Sequence, residues 1–156
     1  MPEWITADKL RVLQWLCAEL DHTLASWMAV GGLAGNLWGS AWPLHDLDIE
    51  VPTSDLPLLA ARWPQLTTSY GRYIDEEFDI ELLRLRVDGV EIDIAGADDA
   101  WGFTPGGVRI RFPNTLSQCV LRPLSGRLIP CQQLEDLIAY KRLIGRHQDV
   151  LDLTTL

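Results

Sequence analysis

Behind Thr6, apolar residues recur at helical spacing: Leu10, Leu13, Leu16, Cys17 and Leu20 share one stripe. This predicts a first helix that Thr6 caps and that ends near Asp21. Trp27 to Val30 reads as a short buried strand, Gly31-Gly32 as a break, and Leu33 to Trp38 as a short helix stopped by Gly39 and Ser40. From Leu44 the period changes to two. Leu47, Ile49 and Val51 point one way while Asp46, Asp48 and Glu50 point the other, as on a strand with one polar face.

Ser54 is placed to cap a helix through Leu58, Leu59 and Trp63, after which Pro64 and a polar stretch lead to a second strand region. Ile80 to Val87 and Val90 to Ala95 flank Asp88-Gly89, a dipeptide suited to the positive φ angles of a tight hairpin. Val108 to Phe112 and Cys119 to Leu121 are shorter strand candidates. Leu134, Leu137, Ile138 and Leu143 predict a helix that Gly145 stops, and Val150, Leu151 and Leu153 a final short one. No repeat or linker divides the chain, so residues 1–156 are read as one α+β domain.

Composition narrows the function classes. With 47% hydrophobic and 22% charged residues the chain is that of an ordinary compact domain rather than a disordered one. The formal charge is -9, and Lys9 and Lys141 are the only lysines, so no basic stripe exists to release counterions from duplex nucleic acid. Cys17, Cys119 and Cys131 are odd in number and widely separated, and with His22, His45 and His147 they show no zinc spacing. They read as free thiols of a cytoplasmic protein, and nothing in the sequence predicts a leader or a membrane span.

Two carboxylates at i and i+2 on a strand share a face, with Cα atoms roughly 6.5 to 7 Å apart, so Asp46 and Asp48 can converge on a metal ion. Such a pair alone carries little information, since Asp75 and Glu77 are another. Its setting carries more. Gly31-Gly32 precedes it by a short helix, and Glu91-Ile92-Asp93-Ile94 repeats the alternation, so Asp93 can lie across from the pair if the strands are neighbours. Three carboxylates could hold two Mg2+ ions about 3.5 to 4 Å apart and clamp both oxygens of a phosphoryl displacement. Gly31 and Gly32 allow close backbone approach, and the helix behind them offers N–H groups to a phosphate. A strand-to-helix turn is the plainer reading of that pair.

Val30-Gly31-Gly32-Leu33-Ala34-Gly35, Gly39, and His45-Asp46-Leu47-Asp48-Ile49-Glu50-Val51 together resemble the signature of the nucleotidyltransferase superfamily, nearest its small antibiotic-resistance and AbiEii-type domains. Asp136 to Lys141 with Gly145, Arg146 and Asp149 resembles the C-terminal helix of those domains. The resemblance implies a polymerase β-like mixed sheet with flanking helices. It implies that Asp46, Asp48 and Asp93 are catalytic and bind two Mg2+ ions, and that Gly31, Gly32, Lys141 and Arg146 contact the nucleotide. The expected reaction moves a nucleoside monophosphate from an NTP, with ATP expected, to a hydroxyl of a small molecule or protein. Relatives often carry Arg where Trp42 stands, Lys where Gln148 stands and Ser where Leu33 stands, and each difference removes a phosphate contact. The alternative is a catalytically weakened nucleotide-binding or toxin-antitoxin-type interaction domain, working as a homodimer or with a partner protein.

Other residues read two ways. Lys141 suits a helix C-terminus as well as a nucleotide, and Arg146 could cap carbonyls or pair with Asp149. His45 could orient a ligand or be structural. Trp38 and Trp42 are more often core than stacking platforms. Glu50 and Glu91 read as solvated, and Arg84 and Arg86 as phosphate contacts or surface.

Overall fold

The computed structural model describes residues 1–156. Helix α1 (Ala7–Thr23) starts where the stripe predicts, with the Thr6 side chain accepting from the Lys9 amide at 3.3 Å. Strand β1 (Met28–Ala29) is only two residues long and runs into α2 (Gly31–Leu37). The helix therefore begins at the glycine pair rather than after it. The carboxylate strand β2 spans Leu47–Val51, which leaves Asp46 at its entrance instead of within it. Ser54 does not cap the next helix: a single 3-10 turn (Thr53–Asp55) leads into α3 (Leu56–Arg62), and Pro57 in its first turn fixes the backbone there.

The hairpin of β4 (Phe78–Val87) and β5 (Val90–Gly96) forms as expected, with φ of 49° at Asp88 and 78° at Gly89. Strand β3 (Thr67–Ile74) is the polar stretch after Pro64. It pairs with β4 along a largely exposed edge, so it lacks the apolar alternation that marks a half-buried strand. Strands β6 (Trp101–Phe103) and β7 (Arg109–Arg111) extend the sheet beyond β4. A second tight hairpin joins β8 (Val120–Leu124) to β9 (Arg127–Cys131), turning at Ser125 and Gly126 with φ of 47° and 80°. Helices α4 (Leu134–Leu143) and α5 (His147–Thr154) close the chain, with Gly145 at φ 80° between them.

The nine strands form one mixed sheet in the order β7-β6-β4-β5-β2-β1-β9-β8, with β3 on the other side of β4. One face of its centre is apolar. Leu47, Ile49, Val51, Leu83, Leu85, Ile92 and Ile94 pack against α1 and α3 in a core that includes Leu13, Leu16, Leu20, Leu56 and Leu59. Period-two alternation then requires the side chains between them to leave the core on the other face. That face carries Asp48, Glu50, Asp93 and Arg84 and lines a cleft beside α2, α4 and α5. No helix is long and apolar enough to cross a membrane.

The core sets how much each position contributes. Ile92 is fully buried on β5, so Ile92→Ala is expected to destabilise the protein by about 2–5 kcal/mol in urea unfolding. Leu121→Ala, at a side chain 58% exposed, should stay within about 0.5 kcal/mol of the parent.

Candidate active site

The cleft begins with a register. Strand β2 runs parallel to β5 with Asp48 opposite Asp93, and β5 runs antiparallel to β4 with Asp93 opposite Arg84. The three side chains thus form a row across one face at the strand spacing of about 4.8 Å. Asp46, at the strand entrance, lines the same cleft. Asp46, Asp48 and Asp93 thus line one cleft together with Gly31 and Gly32.

Gly31 explains why the helix must begin there. Its φ is +57°, and a Cβ at this position would sit 2.7 Å from Asp48 Oδ2. A side chain would therefore collide with the carboxylate and force a backbone conformation that L residues rarely adopt. Gly32 is open on its outer side. Its backbone amide is near enough to Asp48 to favour the ionised carboxylate.

Burial, then the neighbouring Asp93 and Asp46, push the Asp48 carboxyl up to about 7, against the Gly32 amide and Lys141. Burial likewise raises Asp93, while Arg84, with Nε 3.3 Å from Asp93 Oδ1, opposes the rise. Glu50 reads as solvated from sequence, but the structure corrects this. It lines the cleft one alternation step beyond Asp48, and burial followed by Asp98 pushes it up to about 7. Its place in the same period-two phase as Asp48 was the available signal. Glu91, by contrast, is exposed and paired with Arg86 at 2.5 Å.

The other cations are engaged. Lys141 is 4% exposed and its Nζ lies 2.9 Å from Asp149 Oδ2. Arg146 holds Glu77 with both arms of its fork, Nε at 2.8 Å and Nη2 at 2.6 Å, and reaches Asp149 at 3.8 Å. It thereby fastens the α4–α5 corner to the start of β4. Both line the cleft, yet neither presents an unpaired charge to it.

Trp42, where relatives often carry Arg, packs its ring against Gly35, and its Nε1 donates to the Gly32 carbonyl at 3.4 Å. Asn36 holds the loop leading to Asp46, its amide donating to Ser40 O at 3.0 Å and Trp42 O at 2.8 Å. Trp42 is thus a brace for the glycine turn. Trp38 instead donates to Gln132 O at 2.8 Å and carries Arg122 on its ring at 4.4 Å. His45 is exposed at the cleft mouth, and Gln148 donates to Asp152 at 3.0 Å.

The cleft has a volume of about 880 Å³, in the range of small-ligand sites. As the side chains stand, no three or more His, Cys, Asp or Glu residues surround one ion position. Arg84 engages the carboxylate that would complete the set. The donor chemistry nevertheless suits a hard divalent cation: Asp46 at the entrance of β2, Asp48 within it and Asp93 on the neighbouring strand, all oxygen donors, with the only nearby lysine neutralised by Asp149.

No family model and no curated protein matches the sequence. Solved structures do match. One is a Thermotoga maritima protein assigned as a nucleotidyltransferase, at 22% identity and TM-score 0.76, covering 97% of this chain and 93% of that one. A second is the lincosamide antibiotic adenylyltransferase LnuA with lincomycin bound, at 16% identity and TM-score 0.58, covering 97% and 98%. A third is ANT(2'')-Ia in complex with adenylyl-2''-tobramycin, at 14% identity and TM-score 0.60, covering 96% and 89%. The chain has the α+β fold of the nucleotidyltransferases.

Crowding these carboxylates has a cost that can be measured. A carboxyl raised above its unfolded value disfavours folding once pH exceeds that value, and the cost is complete above the folded value of about 7. Asp48→Asn is therefore expected to stabilise the metal-free protein by roughly 1–3 kcal/mol at pH 8. The gain should shrink towards zero as pH falls to about 4. Urea unfolding in EDTA across that range checks both sign and window.

Proposed function

We propose that the protein is a nucleotidyltransferase that moves a nucleoside monophosphate from an NTP, with ATP the expected donor, to a hydroxyl acceptor. The observation that carries this reading is the in-register row of Asp48 and Asp93, with Asp46 at its entrance and Gly31-Gly32 against it, in one open cleft. The adenylyltransferase activity named for one structural neighbour and the adenylylated tobramycin bound to another support it.

Asp46 and Asp48 would hold Mg2+, with Asp93 joining them. When bound, the metal supplies charge neutralisation at the phosphates and lowers the barrier to ionising the acceptor. The chain's own residues do the rest. Gly31 lets the backbone and the Asp48 carboxylate approach without a side chain between them, and Gly32 leaves its outer side open to a phosphate. Asp93 accepts the acceptor hydroxyl proton. The hydroxyl oxygen forms a bond to the α-phosphorus, the bond from that phosphorus to the bridging oxygen breaks, and pyrophosphate leaves with the electron pair. For this, Arg84 must release Asp93, and its freed guanidinium can pair with phosphate oxygens. Catalysis is mainly positioning and charge neutralisation, as in phosphoryl transfer generally.

A second reading is favoured by one observation. Because Arg84 already neutralises Asp93, the fold could bind nucleotide without efficient turnover, and act as an interaction domain alone or with a partner. The charge of -9 supports a small-molecule or protein acceptor over a duplex, and the free thiols support a cytoplasmic setting.

Incubation with each of four α-labelled NTPs, Mg2+ and a panel of hydroxyl acceptors is expected to yield labelled product and pyrophosphate. Asp46→Ala and Asp93→Asn should each reduce transfer by about a hundredfold or more. Binding without transfer across the panel would leave the second reading standing. Binding that is indifferent to Asp46→Ala would overturn both.

A further inference from the structure

The cleft has two chemically different ends. The row of carboxylates occupies one. Beyond Asp93 the wall continues along β4, where Phe78, Ile80, Leu82 and Arg84 alternate onto the cleft face. Tyr73 of β3 stands directly opposite Ile80. Across from them, Tyr140 of α4 and Phe112 meet edge to face at 5.7 Å, and Phe78 completes the group at 6.2 Å from Phe112 and 6.3 Å from Tyr140.

Two acidic groups beside the β4 wall, Asp75 and Glu77, are already satisfied inside the chain, whereas Asp136, one turn before Tyr140 on α4, lines the cleft without a partner. Asp75 accepts from the Tyr73 hydroxyl and from the Glu77 and Phe78 amides, each at 2.7 Å. Glu77 is held by Arg146. The surface that the β4 wall leaves to a ligand is therefore aromatic and aliphatic. Arg84, whose guanidinium lies 4.7 Å from the Tyr73 ring centroid, marks the boundary with the carboxylates.

In-line displacement puts the attacking hydroxyl and the leaving pyrophosphate on opposite sides of the α-phosphorus. Gly31-Gly32 lies on the β1 side of Asp48, whereas Asp93 and β4 lie on the other. Resting on the nucleotidyltransferase reading, we infer that Tyr73, Phe78, Ile80, Leu82, Phe112 and Tyr140 form the acceptor subsite, and that the acceptor is a hydroxyl compound with an aryl or compact apolar ring rather than a polycationic one. Its hydroxyl reaches Asp93, and its ring lies along Tyr73, Ile80 and Leu82 with its far end against the Phe78–Phe112–Tyr140 cluster.

Calorimetric titration of the full chain with 2-naphthaleneethanol and with 1,3-diamino-2-propanol tests this, alongside separate titration with Mg2+ and α,β-methylene-ATP. The naphthyl alcohol is expected to bind at least about tenfold more tightly than the diamine. Ile80→Asp and Tyr73→Ala should each weaken it about tenfold while nucleotide-analogue affinity moves less than about twofold. Tyr73 sits at the half-exposed edge of the wall, so its variant decides the matter if Ile80→Asp fails to fold. Equal or tighter diamine binding, or naphthyl binding unmoved by a folded variant, overturns the subsite. Failure of the Mg2+-nucleotide analogue to bind overturns the nucleotidyltransferase reading instead, whatever the alcohols do.

Discussion

The close approach of the Asp48 carboxylate to the backbone at Gly31 is the contact on which the rest of the site depends. It requires a residue without Cβ at a positive φ, and so it fits a helix α2 that starts at Gly31 rather than two residues later at Leu33. The helix start in turn places the Gly32 carbonyl where the Trp42 indole can reach it. Trp42, Asn36 and the loop to Asp46 then follow as one braced unit. A contact between one side chain and one glycine thus organises a segment that runs from the end of β1 to the start of β2.

That contact is also where folding and function pull apart. Asp48 is buried next to Asp93 and Asp46, and like charges at this spacing resist ionising together. A chain selected only for stability would replace one of them with an amide. The opposite side of the same strands is a conventional apolar core, with Ile49, Ile92 and Ile94 fully buried directly behind, so the cost falls on the cleft face alone, where under the proposed function a bound cation would offset it.

The elements that could be read from sequence are those whose sides differ in polarity. Leu10 to Leu20, the Leu47–Val51 alternation and the Asp88-Gly89 hairpin each bury one face, and each forms nearly as its pattern predicts. The parallel pairing of β2 with β5 was legible only as a condition on Asp93, since register between distant strands leaves no local mark. Strand β3 was lost because it is an exposed edge, and β9 because Pro130 interrupts the pattern there. Ser54 misled for a simpler reason: a 3-10 turn precedes α3, so no side-chain cap forms. For the site, the residue types pointed to Asp46, Asp48 and Asp93, but not to what surrounds them. Arg84 reads as a phosphate contact or a surface residue on an alternating strand until the register sets it opposite Asp93.

The pairing of the cations gives the cleft its division of labour. Lys141 and Arg146, both readable as phosphate ligands, are bound to Asp149 and Glu77 and so stiffen the corner between α4, α5 and β4. Arg84 differs from them. Its contact with Asp93 is a single 3.3 Å approach rather than a bidentate fork, so exchanging that partner costs little compared with breaking Arg146 from Glu77. The one cation that can readily change partners is therefore the one beside the carboxylate that would receive the acceptor's proton. Ordering of these three ion pairs by geometry separates the fixed frame of the cleft from its movable part. It follows that ligand-linked rearrangement, where it occurs, begins at the boundary between the carboxylate row and the aromatic wall.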